Sequence, residues 1–214
     1  MLAPAPNHFD RGKPFYPLVM NYVVQIVGFK ELALRGVTGP REFADVIKQI
    51  PALGQIPPGR ESDAAAVHDD LRKLMGPVQL RSEFLDATID VDVDEMAREV
   101  ASNSNYLAAQ LMRSAGSLLI LAHETNKDES WHDQGPLWEF LRHCRNGAAH
   151  GGRFHFRHGE PRRPASWGRF RITPVLEGTS IFKGFDKVGL LSPGDPVRLL
   201  WDIEEACPEM KVRV

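Results

Sequence analysis

The side chains best suited to chemistry lie together in one short segment of the chain. Arg145, Asn146 and His150 fall within six residues, and Arg142 comes just before them. Histidine exchanges protons near neutral pH and therefore serves as a general acid or base. Arginine stays charged, and its fork matches the oxygens of a phosphate. These residue types suit a proton transfer at a phosphate group, where Asn146 could fix the imidazole or bind an oxygen.

A single helix is predicted to position these residues. Its apolar side chains recur at helical spacing and form one stripe, which consists of Leu137, Phe140, Leu141, Cys144 and Ala148. Pro136 suits the first turn, and Gly151 with Gly152 ends the helix as a C-cap pair. The spacing therefore predicts a helix over 137–150.

The predicted helix sorts its polar residues by face. At about 100° per residue, His150 lies four positions after Asn146 and stacks on the same polar face. Arg142 joins that row, and Arg145 lies on the shoulder between the row and the apolar stripe. A histidine in the last turn also has a purely structural use, because its positive charge complements the negative end of the helix dipole.

The spacing from Arg145 to His150 is not specific by itself. Arg153 and His158 form a second pair with the same separation, but they fall across a predicted strand and loop. Only the first pair lies at a helix end, with an asparagine after the arginine and small residues in between. The first pair is therefore the candidate site.

Residues 137–154 also resemble a known family. Their sequence is Leu-Trp-Glu-Phe-Leu-Arg-His-Cys-Arg-Asn-Gly-Ala-Ala-His-Gly-Gly-Arg-Phe. It resembles the signature helix of the HEPN superfamily, in which an Arg, a following polar residue and a His mark the active helix. These three match Arg145, Asn146 and His150. The segments 165–167 and 192–195 resemble, less specifically, the tail of one HEPN branch, whereas residues 1–75 are not part of the resemblance.

The resemblance implies a helical bundle that dimerises, with two motif helices meeting at a cleft. Many members are metal-independent endoribonucleases, often toxins or phage-defence effectors. Here it implies His150 as general acid or base, Arg145 as phosphate clamp and Asn146 as orienting residue. The further candidates for RNA binding are Arg142, Arg153 and Arg157. Residues 153–157 alternate as Arg-Phe-His-Phe-Arg. The two phenylalanines could stack on RNA bases, or they could face inward as in an ordinary strand.

The resemblance leaves a second function open, because some HEPN members have lost activity. The alternative is a non-catalytic module that dimerises and binds RNA or protein. The expected partners are RNA, a second copy of the chain, and an antitoxin or a nucleotidyltransferase. Arg145 and His150 lie about 140° apart around the helix. This separation favours a site shared between two chains, with Arg145 from one and His150 from the other.

Composition and charge restrict the class of protein. The 214 residues are 43% hydrophobic with a net charge of -2, so the protein is not a general polyanion binder. The charge is uneven, since residues 142–171 hold eight arginines and one acid, whereas residues 83–99 hold seven acids and one arginine. This asymmetry indicates either a nucleic-acid face or a basic segment that faces an acidic helix of the same chain.

Other chemistries have little support in the sequence. It contains no Cys-x-x-Cys or His-Glu-x-x-His motif, so no metal or cofactor is predicted, although His155 and His158 could bind zinc adventitiously. Cys144 and Cys207 are interpreted as reduced thiols, with Cys144 in the core. The N-terminus lacks a secretory signal pattern, and no apolar run is long enough to span a membrane. A cytoplasmic location is therefore predicted.

The remaining pattern predicts a mainly α fold, an up-and-down helical bundle with a small β element and a final helix. Helices are predicted over 18–34, 41–50, 63–75, 80–89 and 94–124, and the Val and Ile content of 18–34 leaves a strand as the alternative there. Strands are predicted over 153–157, 167–172 and 179–185, and a last helix begins at Asp195. The predicted divisions of the chain are an N-terminal helical region over 1–76, a HEPN-like core over 77–152, and the β element with the last helix over 153–214.

Overall fold

The structure is a computed structural model that describes residues 11–48, 78–84, 86–129, 135–157, 159–184 and 188–210. These residues form five α-helices, which are α1 (Tyr16–Lys48), α2 (Val93–Ser102), α3 (Ser104–Glu124), α4 (Pro136–Ala149) and α5 (Asp195–Ala206). Two antiparallel hairpins accompany them, one of β1 (Val78–Ser82) and β2 (Ala87–Val91), the other of β3 (Ala165–Trp167) and β4 (Phe170–Ile172). The predicted mainly helical fold with a small β element and a final helix is confirmed.

The chain divides into two compact units. One consists of Met1–Val27 and Ala108–Val214, and the other of Gly28–Leu107. The first unit holds all of α4 and α5 with most of α3, so it contains every candidate site residue. The domain boundaries predicted at residues 76 and 152 stay predictions.

The core of the first unit is built on the apolar faces of α3 and α4. Phe140, Leu141 and Cys144 are fully buried, which confirms the predicted stripe at these positions. A Cβ built on Gly116 would lie 3.3 Å from the Cβ of Ala148, so this glycine lets the two helices approach closely. The same core includes these residues of β4 and α5: Ile172, Leu199, Leu200 and Ile203. Helix α4 is therefore anchored by its apolar side, and its polar side is left for other contacts.

Two glycines end α4, as the sequence predicts. Gly151 and Gly152 have φ values of 80° and 77°, in the left-handed region that side chains with a Cβ disfavour. The Gly152 N–H donates to the Gly147 carbonyl at 2.9 Å, which closes the helix end. The chain then reverses, and the segment after the glycines returns along the polar side of α4.

This returning segment is extended, but the strand predicted over 153–157 is wrong. A single bridge joins Arg153 to Ser180. Phe154 is buried, and its ring stacks on that of Phe156 with the centroids 5.9 Å apart. This packing places the segment together with three backbone hydrogen bonds of 2.9 Å, in which Phe154 donates to Thr179, Gly178 donates to Phe154, and Ile181 donates to Gly152.

The strands predicted later in the chain are shorter than expected. The strand predicted over 167–172 is a tight hairpin, in which Trp167 of β3 pairs with Phe170 of β4. Gly168 lies in its turn with a φ of 52°. Within the predicted 179–185 strand, only Ser180 and Phe182 make isolated bridges, and residue 185 lies outside the described residues.

Residues 80–89 form part of a hairpin, so the helix predicted there is wrong. Leu80 of β1 pairs with Ile89 of β2, and Asp86 in the turn has a φ of 47°. In so short a segment, the apolar spacing fits a strand as well as a helix. The β-branched Val, Thr and Ile residues of these strands favour the extended chain.

Helix α1 continues to Lys48, so the stop predicted after residue 34 is wrong. Gly36 serves packing within the second unit, because a Cβ there would lie 1.9 Å from the carbonyl oxygen of Ala97 in α2. Only a glycine allows the two helices to approach this closely. An ion pair of 2.6 Å between Arg35 and Asp94 joins α1 to α2 beside this contact.

The remaining predicted helices are also altered. The short helix predicted over 41–50 is the end of α1 as far as Lys48, whereas residues 49 and 50 and the helix predicted over 63–75 lie outside the described residues. The long helix predicted over 94–124 is interrupted at Asn103, whose side chain accepts a hydrogen bond of 3.1 Å from the Tyr106 N–H. An asparagine that caps a new helix competes with continuation of the old one.

Candidate functional site

The polar side of α4 and the returning segment enclose a cavity of about 220 Å³ within the first unit. Four of its lining residues come from the last turns of α4, and they are Arg142, Arg145, Asn146 and His150. The other three are His155, Arg157 and Glu160. Five of the six residues predicted for the site therefore lie around one space. The sixth, Arg153, is not among the lining residues, and its guanidinium donates to the Gly178 carbonyl at 2.8 Å.

His150 lies at the end of α4 and is exposed to solvent. Its backbone N–H donates to the carbonyls of Asn146 and Gly147, each at 3.1 Å. With φ and ψ of -113° and 49°, the residue has already left helical geometry. Its ring lies near that of His155, with the centroids 6.5 Å apart. Two solvent-accessible imidazoles thus face the same cavity from the two sides of the chain reversal.

The position of His150 changes one argument made from the sequence. The 140° separation on an ideal helix suggested that one chain cannot direct both Arg145 and His150 to one site. His150 lies beyond the last helical residue, and both side chains line the cavity of a single chain, so the angle on an ideal helix does not by itself require a second chain. The site shared between two chains stays a prediction.

Arg145 is held by two neighbours. Its guanidinium donates to the Glu124 carboxylate of α3 and, at 2.9 Å, to the Asn146 side-chain oxygen. Hydrogen bonds from Lys127 and from Arg145 lower the pKa of Glu124 to about 2, so this carboxylate stays ionised at neutral pH. The Nε of Arg145 is buried and has no hydrogen-bond partner among the described residues. The fork is thus preorganised, but part of its charge is compensated by Glu124.

Arg142 is more completely compensated than Arg145. Its guanidinium lies 2.9 Å from the buried Glu139 carboxylate and 3.2 Å from that of Glu160. Burial alone would lower the pKa of Arg142, but the two carboxylates raise it above its ordinary value. Arg142 therefore connects α4 to the returning segment. Because two carboxylates compensate its charge, it is poorly suited to bind a phosphate.

His143, beneath Arg142, is part of the scaffold. Burial and then the Arg142 charge lower the pKa of His143 below its ordinary value. Its Nε2 lies 3.0 Å from the Arg142 guanidinium, which can only donate, so this nitrogen accepts. The ring also meets the edge of Phe156, with the centroids 5.4 Å apart. A neutral imidazole at this position supports the returning segment and does not face the cavity.

Arg157 is the cavity arginine with the most available charge. Its side chain is exposed, and its guanidinium makes no ion pair with any described residue. Its backbone N–H donates to the Glu160 carboxylate at 3.1 Å, which fixes the turn that carries it. An anion in this cavity would therefore meet the Arg157 guanidinium, which has no ion pair with the described residues, the partly compensated Arg145 guanidinium, two imidazoles and the Glu160 carboxylate.

Replacing Arg142 by alanine should lower the free energy of unfolding by about 3 kcal/mol, because the buried Glu139 carboxylate loses its nearest cation. Urea denaturation followed by circular dichroism measures this change. Arg157→Ala is the matched control, since the exposed Arg157 has no ion pair to lose, and it should shift stability by less than about 0.5 kcal/mol. Equal unfolding midpoints for the two variants would contradict the structural role given to Arg142.

Several partners of the site residues were missed from the sequence. Glu139 lies three residues before Arg142, a spacing that does signal a helical ion pair. Glu124 and Glu160 lie 21 residues before Arg145 and 18 residues after Arg142, respectively, and no local spacing reveals such contacts. His155 was considered only for zinc, and its Nδ1 lies 3.0 Å from the Glu177 carboxylate.

The structure also bears on the other chemistries considered from the sequence. Cys144 is buried in the core as predicted, and burial raises the pKa of its thiol. Within the described ranges, no three metal-ligating side chains lie close enough together to hold an ion, and His158 is outside those ranges. None of the helices in the described part of the chain has the length and hydropathy that crossing a membrane requires.

Comparisons with known proteins add nothing to this site. No family model, no curated protein and no solved structure matches the chain. The resemblance to the HEPN superfamily therefore depends on residues 137–154. What it implies about activity and partners stays a proposal, to be judged from the geometry of the cavity.

Proposed function

We propose that this chain is a metal-independent endoribonuclease. The observation that supports the proposal best is that Arg145, Asn146 and His150 line one cavity together with His155 and Arg157. Proton-transfer groups and cationic donors thus meet in a space open to a polyanionic substrate. All seven residues that line the cavity fall within the basic window over 142–171, and five of them are arginines or histidines, which points to the same class of substrate.

The reaction that suits these groups is cleavage of RNA by its own 2′-hydroxyl. The 2′-oxygen attacks the adjacent phosphorus and loses its proton to a base, while the leaving 5′-oxygen takes a proton from an acid. His150 serves one of these roles and His155 the other, since both imidazoles face the cavity. The products are a 2′,3′-cyclic phosphate and a 5′-hydroxyl, and this scheme needs no metal ion.

Negative charge grows on the phosphate oxygens during the attack, and the arginines stabilise it. Arg157 brings an uncompensated guanidinium, and Arg145 brings a fork that Glu124 and Asn146 already orient. Preorganised donors of this kind contribute about 3 kcal/mol each to the stability of a transition state. Asn146 acts indirectly, because its side-chain oxygen accepts from Arg145 and holds the fork in place.

The chemistry of the product ends tests this function. The purified protein should cut single-stranded or loop RNA in excess EDTA and leave 2′,3′-cyclic phosphates with 5′-hydroxyls. A 2′,3′-cyclic phosphate is verified if the 3′ ends can be ligated only after treatment with a phosphatase that opens and removes it. A 5′-hydroxyl is verified if the 5′ ends can be phosphorylated directly. Ends that carry a 3′-hydroxyl, or cleavage that needs an added divalent metal, would exclude the proposed reaction.

A non-catalytic RNA- or protein-binding module is the second candidate. The specific observation in its favour is that carboxylates compensate both Arg142 and Arg145. In such a module, the motif helix would serve stability and the cavity would only bind. RNA that binds without being cut under every metal condition would favour this candidate over the first.

The biological setting follows the resemblance and stays a proposal with it. We expect a toxin or phage-defence effector that acts in the cytoplasm, forms a homodimer and is restrained by an antitoxin or a nucleotidyltransferase partner. Because one chain already holds Arg145 and His150 around one cavity, such a dimer is not required to complete the site. Its role would be to bring two cavities to one RNA or to regulate access to them.

A further inference from the structure

A second and larger cavity, of about 480 Å³, lies on the other side of the chain reversal. It is formed by α3, the end of α4 and the turn that follows α4, all within the first unit. Lining residues that matter here are Arg113, Gly116, Ser117, Ala148, Gly151 and Phe182. The volume falls within the range of about 300 to 1,000 Å³ that is usual for small-molecule sites.

The two cavities share the turn at the end of α4. His150 lines the candidate catalytic cavity, and the next residue, Gly151, lines the larger one. Consecutive Cα atoms are only about 3.8 Å apart. A ligand that crosses this turn can therefore place one group beside His150 and a neighbouring group in the larger cavity.

The wall of the larger cavity is apolar with a polar rim. Ala148, Gly116 and Phe182 form part of its floor, whereas Ser117 and Arg113 are exposed at its edge. The Arg113 guanidinium makes no ion pair within the described part of the chain. This combination suits a flat apolar group that carries polar atoms at its edge and an anionic group beside it.

The turn itself keeps the cavity open. A Cβ built on Gly151 or on Gly152 would meet no atom within 4 Å, so both glycines border empty space. The backbone N–H of Gly151 makes no hydrogen bond to the described residues. The turn can thus offer a backbone donor to a ligand without a side chain in the way.

We propose that this cavity receives a nucleobase of the RNA whose phosphate lies beside His150, an inference that rests on the proposed ribonuclease function. The base packs its face against the apolar floor, and its polar edge meets Ser117 and the backbone of the turn. Arg113 contacts the face of the base or its phosphate. The protein would then prefer cleavage sites with an intact base at one fixed position from the cut.

Charge favours a nucleobase over a second copy of the chain as the occupant. In a two-fold dimer the same patch of both chains forms the interface, so both faces would bring an exposed Arg113 charge to it. The same guanidinium attracts the phosphates that flank a base. RNA is therefore the occupant whose charge complements Arg113 at the edge of the cavity. Dimerisation through the cavity is an alternative outcome of the test.

The test measures binding apart from cleavage. The His150→Ala chain, which cannot complete the reaction, is titrated by fluorescence anisotropy with a short single-stranded RNA and with versions that carry one abasic site each. An abasic site beside the cleaved phosphate should weaken binding about tenfold, because a stacked base is lost. Abasic sites farther away should change the affinity little.

A second variant links that position to the cavity. Ser117→Trp, made in the His150→Ala chain, fills the cavity from an exposed position of α3 and should make the affinity independent of the abasic site. Leu121→Trp is the matched control, since Leu121 is exposed one turn farther along α3 and does not line the cavity. It should retain the tenfold difference.

The outcomes separate this inference from the function on which it rests. If every abasic site weakens binding equally while the wild-type protein still cuts RNA, the base site is overturned but the proposed ribonuclease function is not. The base site is also overturned if Ser117→Trp turns a dimer into a monomer but the affinity still depends on the position of the abasic site. The cavity would then be a contact between two copies of the chain. Absence of both RNA binding and RNA cleavage overturns the ribonuclease itself.

Discussion

Replacing Arg145 by alanine is expected to lower the single-turnover rate of RNA cleavage about a hundredfold, because a preorganised donor to the phosphate is lost. The fold should be retained, since Arg145 lies on the polar side of α4 and Lys127 remains 3.1 Å from Glu124. Arg145→Lys should recover only part of the rate, because an ammonium keeps the charge but not the fork. Rapid mixing of excess protein with labelled RNA gives these rates.

The control for Arg145 is an arginine from the same basic window that lies outside the cavity. Arg153→Ala removes one exposed arginine whose side chain bonds to a carbonyl, so it should keep a rate within about threefold of the wild type if the loss at Arg145 is local. Equal rates for Arg145→Ala and Arg153→Ala would show that Arg145 contributes only to the overall positive charge of the basic window.

Replacing His150 by alanine is expected to lower the same rate by at least about a hundredfold, because one of the two proton transfers loses its side chain. Stability should change little, since the His150 side chain is exposed and only its backbone takes part in the helix end. His155→Ala should also be impaired, because His155 supplies the second transfer. The double variant should be little slower than the worse single variant, as expected for residues that act as a unit.

The comparison of these two histidines also tests how the roles are shared. If His150→Ala is strongly impaired and His155→Ala is not, solvent rather than His155 supplies the second proton transfer. If both variants cut RNA at the wild-type rate after removal of host nuclease by repeated purification, the proposed chemistry at this cavity is wrong.

The helix that carries the site was predictable because its signals are local. The apolar stripe, Pro136 at its start and the two glycines at its end all act within a few residues, and each has a direct physical effect on the backbone. Asn146 and His150 both line the cavity, although His150 lies just beyond the last helical residue. For this reason the sequence could assign the cluster to one helix end before any coordinates were considered.

The electrostatics of the site were not predictable, because they depend on contacts made through the fold. The partner of Arg145 is Glu124 on another helix, and one partner of Arg142 is Glu160 beyond the chain reversal. Because carboxylates compensate the Arg142 charge, Arg157, which has no ion pair with the described residues, is the better candidate for binding a phosphate. A helical wheel places Arg142 on the face of the helix that lines the cavity, but it cannot show that the charge there is already compensated.

The elements that were predicted wrongly have a similar cause. Gly36 normally weakens a helix interior, yet here it permits the close approach of α1 to α2. Asn103 ends one helix by capping the next, and a hydrophobic repeat that runs through it does not reveal the break. In both cases tertiary packing or a side-chain bond overrides the local periodicity.

One paired cleavage measurement in excess EDTA tests the proposed ribonuclease function most directly. Wild-type and His150→Ala proteins, purified side by side in the same way, are incubated with one end-labelled RNA, and the cut sites and end groups are compared. The account predicts fragments ending in 2′,3′-cyclic phosphate from the wild type, and at least about a hundredfold fewer from His150→Ala. The same fragments in the same amounts from both proteins, or no cleavage by the wild type, would contradict it.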